Sequence, residues 1–502
     1  MDPFKEFTHG GTLDVAEILF NTRFNYMFPL LAANPECLLT PGAATQGALL
    51  SLGTAMAADV VTNPLDSTIP AIFTYLGQFI DHNITAQTDR EIGVSRIATP
   101  DGNVMDITPL PSREVVKKLV NGRRPKLDLD QLYGDGPALG TNPSPTEGDE
   151  LFDPATLNFK ITADPPGFDV PRQNDGTAII ADMRNNENLN VSQLHCLFLL
   201  FHNKVAAGLP VALTKDQRYI RARQLVRWAY QYIVINDYLP TVCDPVVVAD
   251  VAANGVRYYA PDNDMLFMPL EFSVAAFRFG HSMIRPQYQV NTATLLTLTQ
   301  ILSVGKLLDG GTPPKLLGSN IIAWHNFANI AGHPAPQMAR KIDPLIAAGL
   351  ANLPVFLQGS SILVGPLLQH LARRNLLRGF LLSIPTGQAV ADGMQTQALT
   401  PAELQGAPGP IQDAVIGGGF DTATPLWYYI LREAEVQQNG NRLGSVGSRI
   451  VAETLSALAR RDGASYLNNP QDSAVKPNGI EVGGGTVIAT IADLIKFAGA
   501  PI

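Results

Sequence analysis

Apolar residues recur along this chain at spacings of three and four, the mark of helices with one buried face, and nothing in the pattern supports a large sheet. A helix is predicted over residues 71–85, opening after Pro70. Stronger helical patterns follow over 191–209, with Leu194, Leu197, Phe198 and Val205 on one side, and over 215–236, ending before Pro240. Residues 266–283 read as helical in their later part, because Pro269 restricts the start. Further helices are predicted over 364–380, 426–438 and 446–459, with a short piece over 389–399 after Pro385 and Gly387. Residues 246–248 and 258–259 read as small strands.

Between these patterns the chain changes character. Residues 95–180 are rich in Gly, Pro and Asp, and read as long ordered loops around a helical core. Residues 1–45 read as an irregular arm with short helical pieces, and its segment 25–31 is expected to lie on the main body. The fold class is therefore mainly α, a large single domain with little β-structure, divided as an arm (1–45) and a body (46–502).

Composition narrows the functional classes. Apolar residues make up 46% and charged residues 16%, enough for a large core, while no run of about 18 apolar residues predicts a membrane span. A net charge of -9 without a basic block excludes an ordinary nucleic-acid binder. The first seven residues lack the features of a classical signal peptide, so a cytoplasmic location or a non-classical export route is expected. Cys37, Cys196 and Cys243 lack the paired spacing of a metal site and read as buried small residues.

Two segments about two hundred residues apart carry the candidate chemistry: Gly77-Gln78-Phe79-Ile80-Asp81-His82 and Phe277-Arg278-Phe279-Gly280-His281. Each puts a histidine and polar neighbours into an apolar helical run. One such histidine is most often a hydrogen-bonded core residue; a pair can straddle a buried redox cofactor, one side binding metal and the other handling protons.

Further fragments follow in order: Leu127-Asp128-Leu129-Asp130-Gln131-Leu132-Tyr133-Gly134, Asp182-Met183-Arg184-Asn185-Asn186-Glu187, His202-Asn203-Lys204-Val205-Ala206 and Asp237-Tyr238-Leu239-Pro240. In that order the set resembles the peroxidase–cyclooxygenase superfamily, the animal-type haem peroxidases, and more specifically its bacterial branch.

The resemblance implies a peroxidase using hydrogen peroxide to oxidise small organic donors, or iodide, bromide or thiocyanate. It makes His82 the distal proton shuttle, Gln78 the residue supporting distal water and halide, and Arg184 the distal arginine that polarises peroxide. His281 becomes the axial ligand of haem iron, with Asn375 on its other nitrogen. Arg378 and Arg278 match arginines near a haem propionate and the proximal turn. Asp81 and Glu187 match carboxylates that form ester bonds to haem in mammalian members, so haem b or an ester-linked derivative is implied. Asn188 stands where myeloperoxidase has the methionine of its third link, and that bond is not expected.

Calcium is a further implied ligand. Asp128, Asp130 and Asn83 supply hard oxygens, although Asn83 replaces an aspartate and Arg124 a threonine of the family pattern. His202 reads as structural, Tyr133 and Trp427 as packing, and His195 as a core residue. Two alternatives stand beside the peroxidase. Fatty-acid dioxygenases carry a radical-forming tyrosine where this chain has Arg278, which leaves Tyr238 as a substitute. A haem-free helical scaffold is the other.

Overall fold

The computed structural model describes residues 23–57, 66–89, 97, 106–140, 144–164, 167–260, 266–353 and 366–502. Its framework is helical: α1 (Ala43–Ala57), α2 (Ile72–Ile84), α3 (Leu189–Gly208), α4 (Lys215–Ile233), α5 (Pro245–Asn254), α6 (Leu371–Leu381), α7 (Leu426–Gln438), α8 (Ser445–Arg460) and α9 (Ile491–Ala498). No helix among the described residues is long and apolar enough to cross a membrane.

Helix α2 is buried on nearly every side, and Phe79 anchors it by stacking on Phe198 of α3 at 4.7 Å and meeting Tyr230 of α4 edge-on at 6.3 Å. Its polar residues Thr74, Gln78, Asp81 and His82 fall at helical spacing and form one stripe inside the core. A polar stripe on a buried helix needs something polar to face, and here it faces a cavity.

Helix α4 does not stop where its pattern weakens. It runs through a π-turn (Val234–Tyr238) into a last turn (Leu239–Val242). Pro240 explains the widening, since it has no N–H for the carbonyl four residues back and its ring crowds that carbonyl. The π-turn sets Tyr238 against α2.

The proximal segment differs more from expectation. The later part of 266–283 is helical, as its pattern predicts, but as a π-turn (Glu271–Ala275) followed by a 3-10 stretch (Ala276–His281) in place of an α-helix. Arg278 Nε donates to the Ser273 carbonyl at 2.9 Å, so a side chain takes up a backbone acceptor at this break. Glu271 turns its carboxylate to the Met27 and Phe28 amides, at 2.7 and 3.0 Å.

A small sheet ties the arm to the same segment. Strands β1 (Arg23–Asn25), β2 (Gln87–Asp89), β3 (Leu119–Asn121) and β4 (Phe267–Pro269) lie in the order β2–β3–β1–β4. Strand β1 runs parallel to β4 with Phe24 opposite Met268. Tyr26, Met27 and Phe28 are buried, as expected for segment 25–31, whereas Pro29 and Leu30 of the same segment are exposed. Helix α1 crosses residues 45 and 46, where the arm was expected to end, without a break.

Three local expectations are corrected. Residues 246–248 lie in α5, because Asp244 caps its start by accepting from the Val246 amide at 2.8 Å and Pro245 follows. Residues 258–259 form no strand, and their amides donate to the buried Glu453 carboxylate at 2.8 and 3.0 Å. The helix expected over 364–380 is two pieces, Pro366–Gln369 and α6, separated at His370, and residues 364 and 365 lie outside the described ones. All three cysteines are free; Cys196 and Cys243 are buried, whereas Cys37 is half-buried.

Candidate functional site

A cavity opens between α2 and the 3-10 stretch at His281. One wall carries Gln78, Asp81, His82 and Glu187, and Arg278 and His281 also line it. The two histidine segments, far apart in sequence, therefore share one chamber.

On the distal wall, His82 Nε2 lies 3.7 Å from Glu187 Oε1. Gln78 is held at both ends: its amide nitrogen donates to Glu187 Oε1, and its oxygen accepts from Asn188 Nδ2 at 3.1 Å. Asp81 accepts from the Thr85 hydroxyl at 2.8 Å. Burial, reinforced by the Arg184 charge, pushes the His82 imidazole below its ordinary value and so favours the neutral base.

Arg184 is close to His82 in space but works from behind the wall. Its guanidinium donates to the carbonyls of His82 and Thr85, at 2.8 and 2.7 Å, and to the Asp182 carboxylate at 2.7 Å. It satisfies carbonyls at the C-terminal end of α2, where a cation is also favoured by the helix dipole. Burial alone would raise Asp182, but the Arg184 and Arg123 guanidiniums hold it far below the usual carboxylate range. Arg184 is not among the cavity-lining residues.

On the opposite side, the Asn375 amide approaches His281 Nδ1 at 2.8 Å. With its nitrogen facing Nδ1, the imidazole proton sits on Nε2; a half turn of the amide presents its oxygen to Nδ1–H and leaves an Nε2 lone pair for metal. Trp427 meets His281 edge-on at 6.4 Å and donates to the Arg278 carbonyl at 3.2 Å. It packs, as expected, and its packing fixes the proximal ring.

Arg374 is a residue that the sequence left without a role. Burial, then the charges of Arg378 and Arg278, push it down to about 9. Three guanidiniums this close repel one another and suit an anionic group placed among them. The two imidazoles lining one cavity, with Arg278 also on its lining and Arg374 and Arg378 near enough to act on one another's charge, together fit a haem with its carboxylate side chains.

The calcium cluster is assembled in part. Asn83 donates to Asp128 Oδ1 at 3.1 Å, and Asp128 is pushed up to about 7 by burial and by Asp130. Arg223 lies 4.0 Å from Asp130. Calcium needs about six to eight oxygens, so backbone or water oxygens must complete any site here. Arg124 is exposed. His202 and Tyr133 join through a 2.9 Å hydrogen bond, in keeping with a structural role.

The chain is similar to known proteins in sequence and in fold. The sequence model of the family described as animal haem peroxidase matches residues 125–319, a span that holds Arg184, Glu187 and His281. Human thyroid peroxidase is 31% identical over 188 residues, 34% of this chain and 20% of that protein. Mouse myeloperoxidase is 29% identical over 154 residues, 28% and 21% of the two chains. Peroxidase A from Dictyostelium discoideum has the same fold over nearly the whole chain: TM-score 0.61, 17% identity, with 96% and 93% of the two chains covered.

Over residues 125–319 the chain is similar to the animal haem peroxidases.

A fatty acid alpha-dioxygenase from Arabidopsis thaliana also has a similar fold, with TM-score 0.57, 14% identity and 92% and 76% coverage. The matches to the curated thyroid and myeloperoxidases span about a fifth of those proteins' length.

Proposed function

We propose that this protein is a haem peroxidase that uses hydrogen peroxide to oxidise small organic donors, with iodide, bromide and thiocyanate as candidate inorganic donors. The observation that carries this reading is the shared cavity of His82 and His281, backed on one side by Asn375 and on the other by the pinned Gln78. His281 would hold the iron, Arg278, Arg374 and Arg378 the anionic edge, and Asp81 and Glu187 the positions for ester bonds. Bound haem supplies the two-electron chemistry of peroxide cleavage.

The protein's own part is proton handling and orientation. Neutral His82 takes the proton from the peroxide oxygen at Nε2 and returns it to the departing oxygen. Gln78, fixed between Glu187 and Asn188, presents a rigid polar edge to small anions and water. Arg184 keeps the end of α2, and with it His82, in place. Asn83, Asp128 and Asp130 are the proposed calcium-facing cluster, tested by the loss of thermal stability expected on chelation.

The test combines two measurements on the purified protein. Stoichiometric haem absorption near the Soret region, with peroxide-dependent guaiacol oxidation lost in His82→Gln but haem retained, is the expected result. Protein that carries no haem when supplied with it would leave the scaffold reading.

One observation favours a second reading: Tyr238 lines the same cavity, so a phenol is available although Arg278 occupies the usual tyrosine position. Linoleate-dependent oxygen uptake, abolished by Tyr238→Phe, would move the assignment to a dioxygenase.

A further inference from the structure

Behind His82 lies a hydrogen-bond relay that the peroxidase reading does not use. His82 Nδ1 is 2.8 Å from Asn185 Oδ1, and Asn185 Nδ2 is 3.0 Å from His195 Nδ1. All three side chains are at most 1% exposed. Asn185 sits on the 3-10 turn Met183–Asn186, whose start is fixed by Asp182 accepting from the Arg184 amide at 3.0 Å. His195 projects from the middle of α3.

A primary amide has an acceptor end and a donor end, so its orientation dictates both rings at once. Oxygen toward His82 requires the proton on Nδ1 of that ring and leaves Nε2 bare. Nitrogen toward His195 requires a bare Nδ1 there, with the proton on Nε2. Burial pushes His195 down to about 3, so it stays neutral and keeps that acceptor. Its Nε2 has no hydrogen-bond partner among the described residues, and its ring meets Phe79 edge-on at 6.3 Å. The relay thus confines its unsatisfied group to the ring that does not line the cavity. Turning the amide over would reverse both rings and place a proton on His82 Nε2.

We propose that Asn185, backed by His195, is a positioning residue that holds His82 with its proton on Nδ1 and presents a bare Nε2 to the cavity. The purpose of this lock, though not its geometry, rests on the peroxidase reading: a general base needs an unprotonated nitrogen before peroxide arrives.

Long-range proton–nitrogen spectra of the purified holoprotein, labelled with nitrogen-15 histidine and held in the diamagnetic ferrous carbonyl form, report each ring's tautomer. His82→Gln and His195→Gln spectra assign the two rings. The expected result is a neutral Nδ1–H ring for His82 and a neutral Nε2–H ring for His195. Asn185→Asp keeps the acceptor for His82 but offers His195 no donor, so His195 should change to Nδ1–H while His82 does not. Asn185→Leu should convert His82 to a mixture of tautomers. Wild-type spectra with the His82 proton on Nε2 overturn the proposal, and need no Asn185 variant to fold. So does a folded Asn185→Leu protein in which His82 is unchanged. Failure of the haem reading is seen separately, as a missing Soret band on a sample whose tautomers are still measurable.

Discussion

Gly77 passes Tyr238 so closely that a β-carbon at position 77 would lie 2.5 Å from the tyrosine hydroxyl. The contact joins α2 to the π-turn and sets how far the distal wall stands from its neighbour. Gly77→Ala should therefore cost about 1–3 kcal/mol of stability, the usual range for overpacking. Tyr238→Phe removes the atom that is struck, so the double variant should recover part of that loss in urea denaturation. Strict additivity of the two substitutions would show that the two residues do not touch.

Arg184 gives a second expectation. Replacing it with Ala leaves the Asp182 carboxylate buried with one partner fewer and uncovers the last carbonyls of α2. A loss on the order of 3–5 kcal/mol is expected, as for breaking a buried ion pair. Chemical denaturation of Arg184→Ala checks it, and unchanged stability would return the guanidinium to a purely catalytic role.

Acid should act on the folded state through a buried histidine. Burial lowers His202 from 6.5 to about 3. Between those values the unfolded chain binds the proton and the folded one does not, so this group's stability is present above 6.5 and is lost as pH falls toward 3. Between pH 7 and pH 5 the loss comes to about 2 kcal/mol. Urea midpoints at the two pH values should differ less by that amount in His202→Gln than in the native protein. Equal pH dependence in the two proteins would contradict the lowered value.

On the proximal side, Asn375→Asp places a negative acceptor at His281 Nδ1. The imidazole should become a stronger donor, and the iron reduction potential should fall. Spectroelectrochemical titration measures it; an unchanged potential would detach Asn375 from the metal ligand.

Asp81 and Glu187 both line the cavity. After peroxide treatment, acid-acetone extraction of the holoprotein should leave haem on the polypeptide, and Asp81→Asn with Glu187→Gln should release it. Complete extraction from the native protein would limit both carboxylates to hydrogen bonding.

The two histidine segments were legible because each sets polar residues at helical spacing within an apolar run. Arg374 and Asn185 were harder to see. A doubled arginine and a run of asparagines resemble solvated surface, and only burial distinguishes them. The valines at 246–248 misled for a related reason. Their branched side chains favour strands, but one capping aspartate and the proline after it decide for helix. The proximal segment is helical in its later part, as its pattern indicates, but its π and 3-10 geometry goes with hydrogen bonds to distant partners, Glu271 to the arm among them.

By itself, the chain determined a mainly helical fold and two histidine-bearing segments, because helical spacing and side-chain chemistry are local properties; the carboxylates Asp81 and Glu187 entered only through the family resemblance. Tertiary structure alone decided that Arg184 supports the distal helix from behind, that Arg374 is buried under the charges of Arg378 and Arg278, and that Asn185 links two buried imidazoles. Those outcomes depend on which donors and acceptors remain when water is excluded, and residues that meet only on folding settle that account.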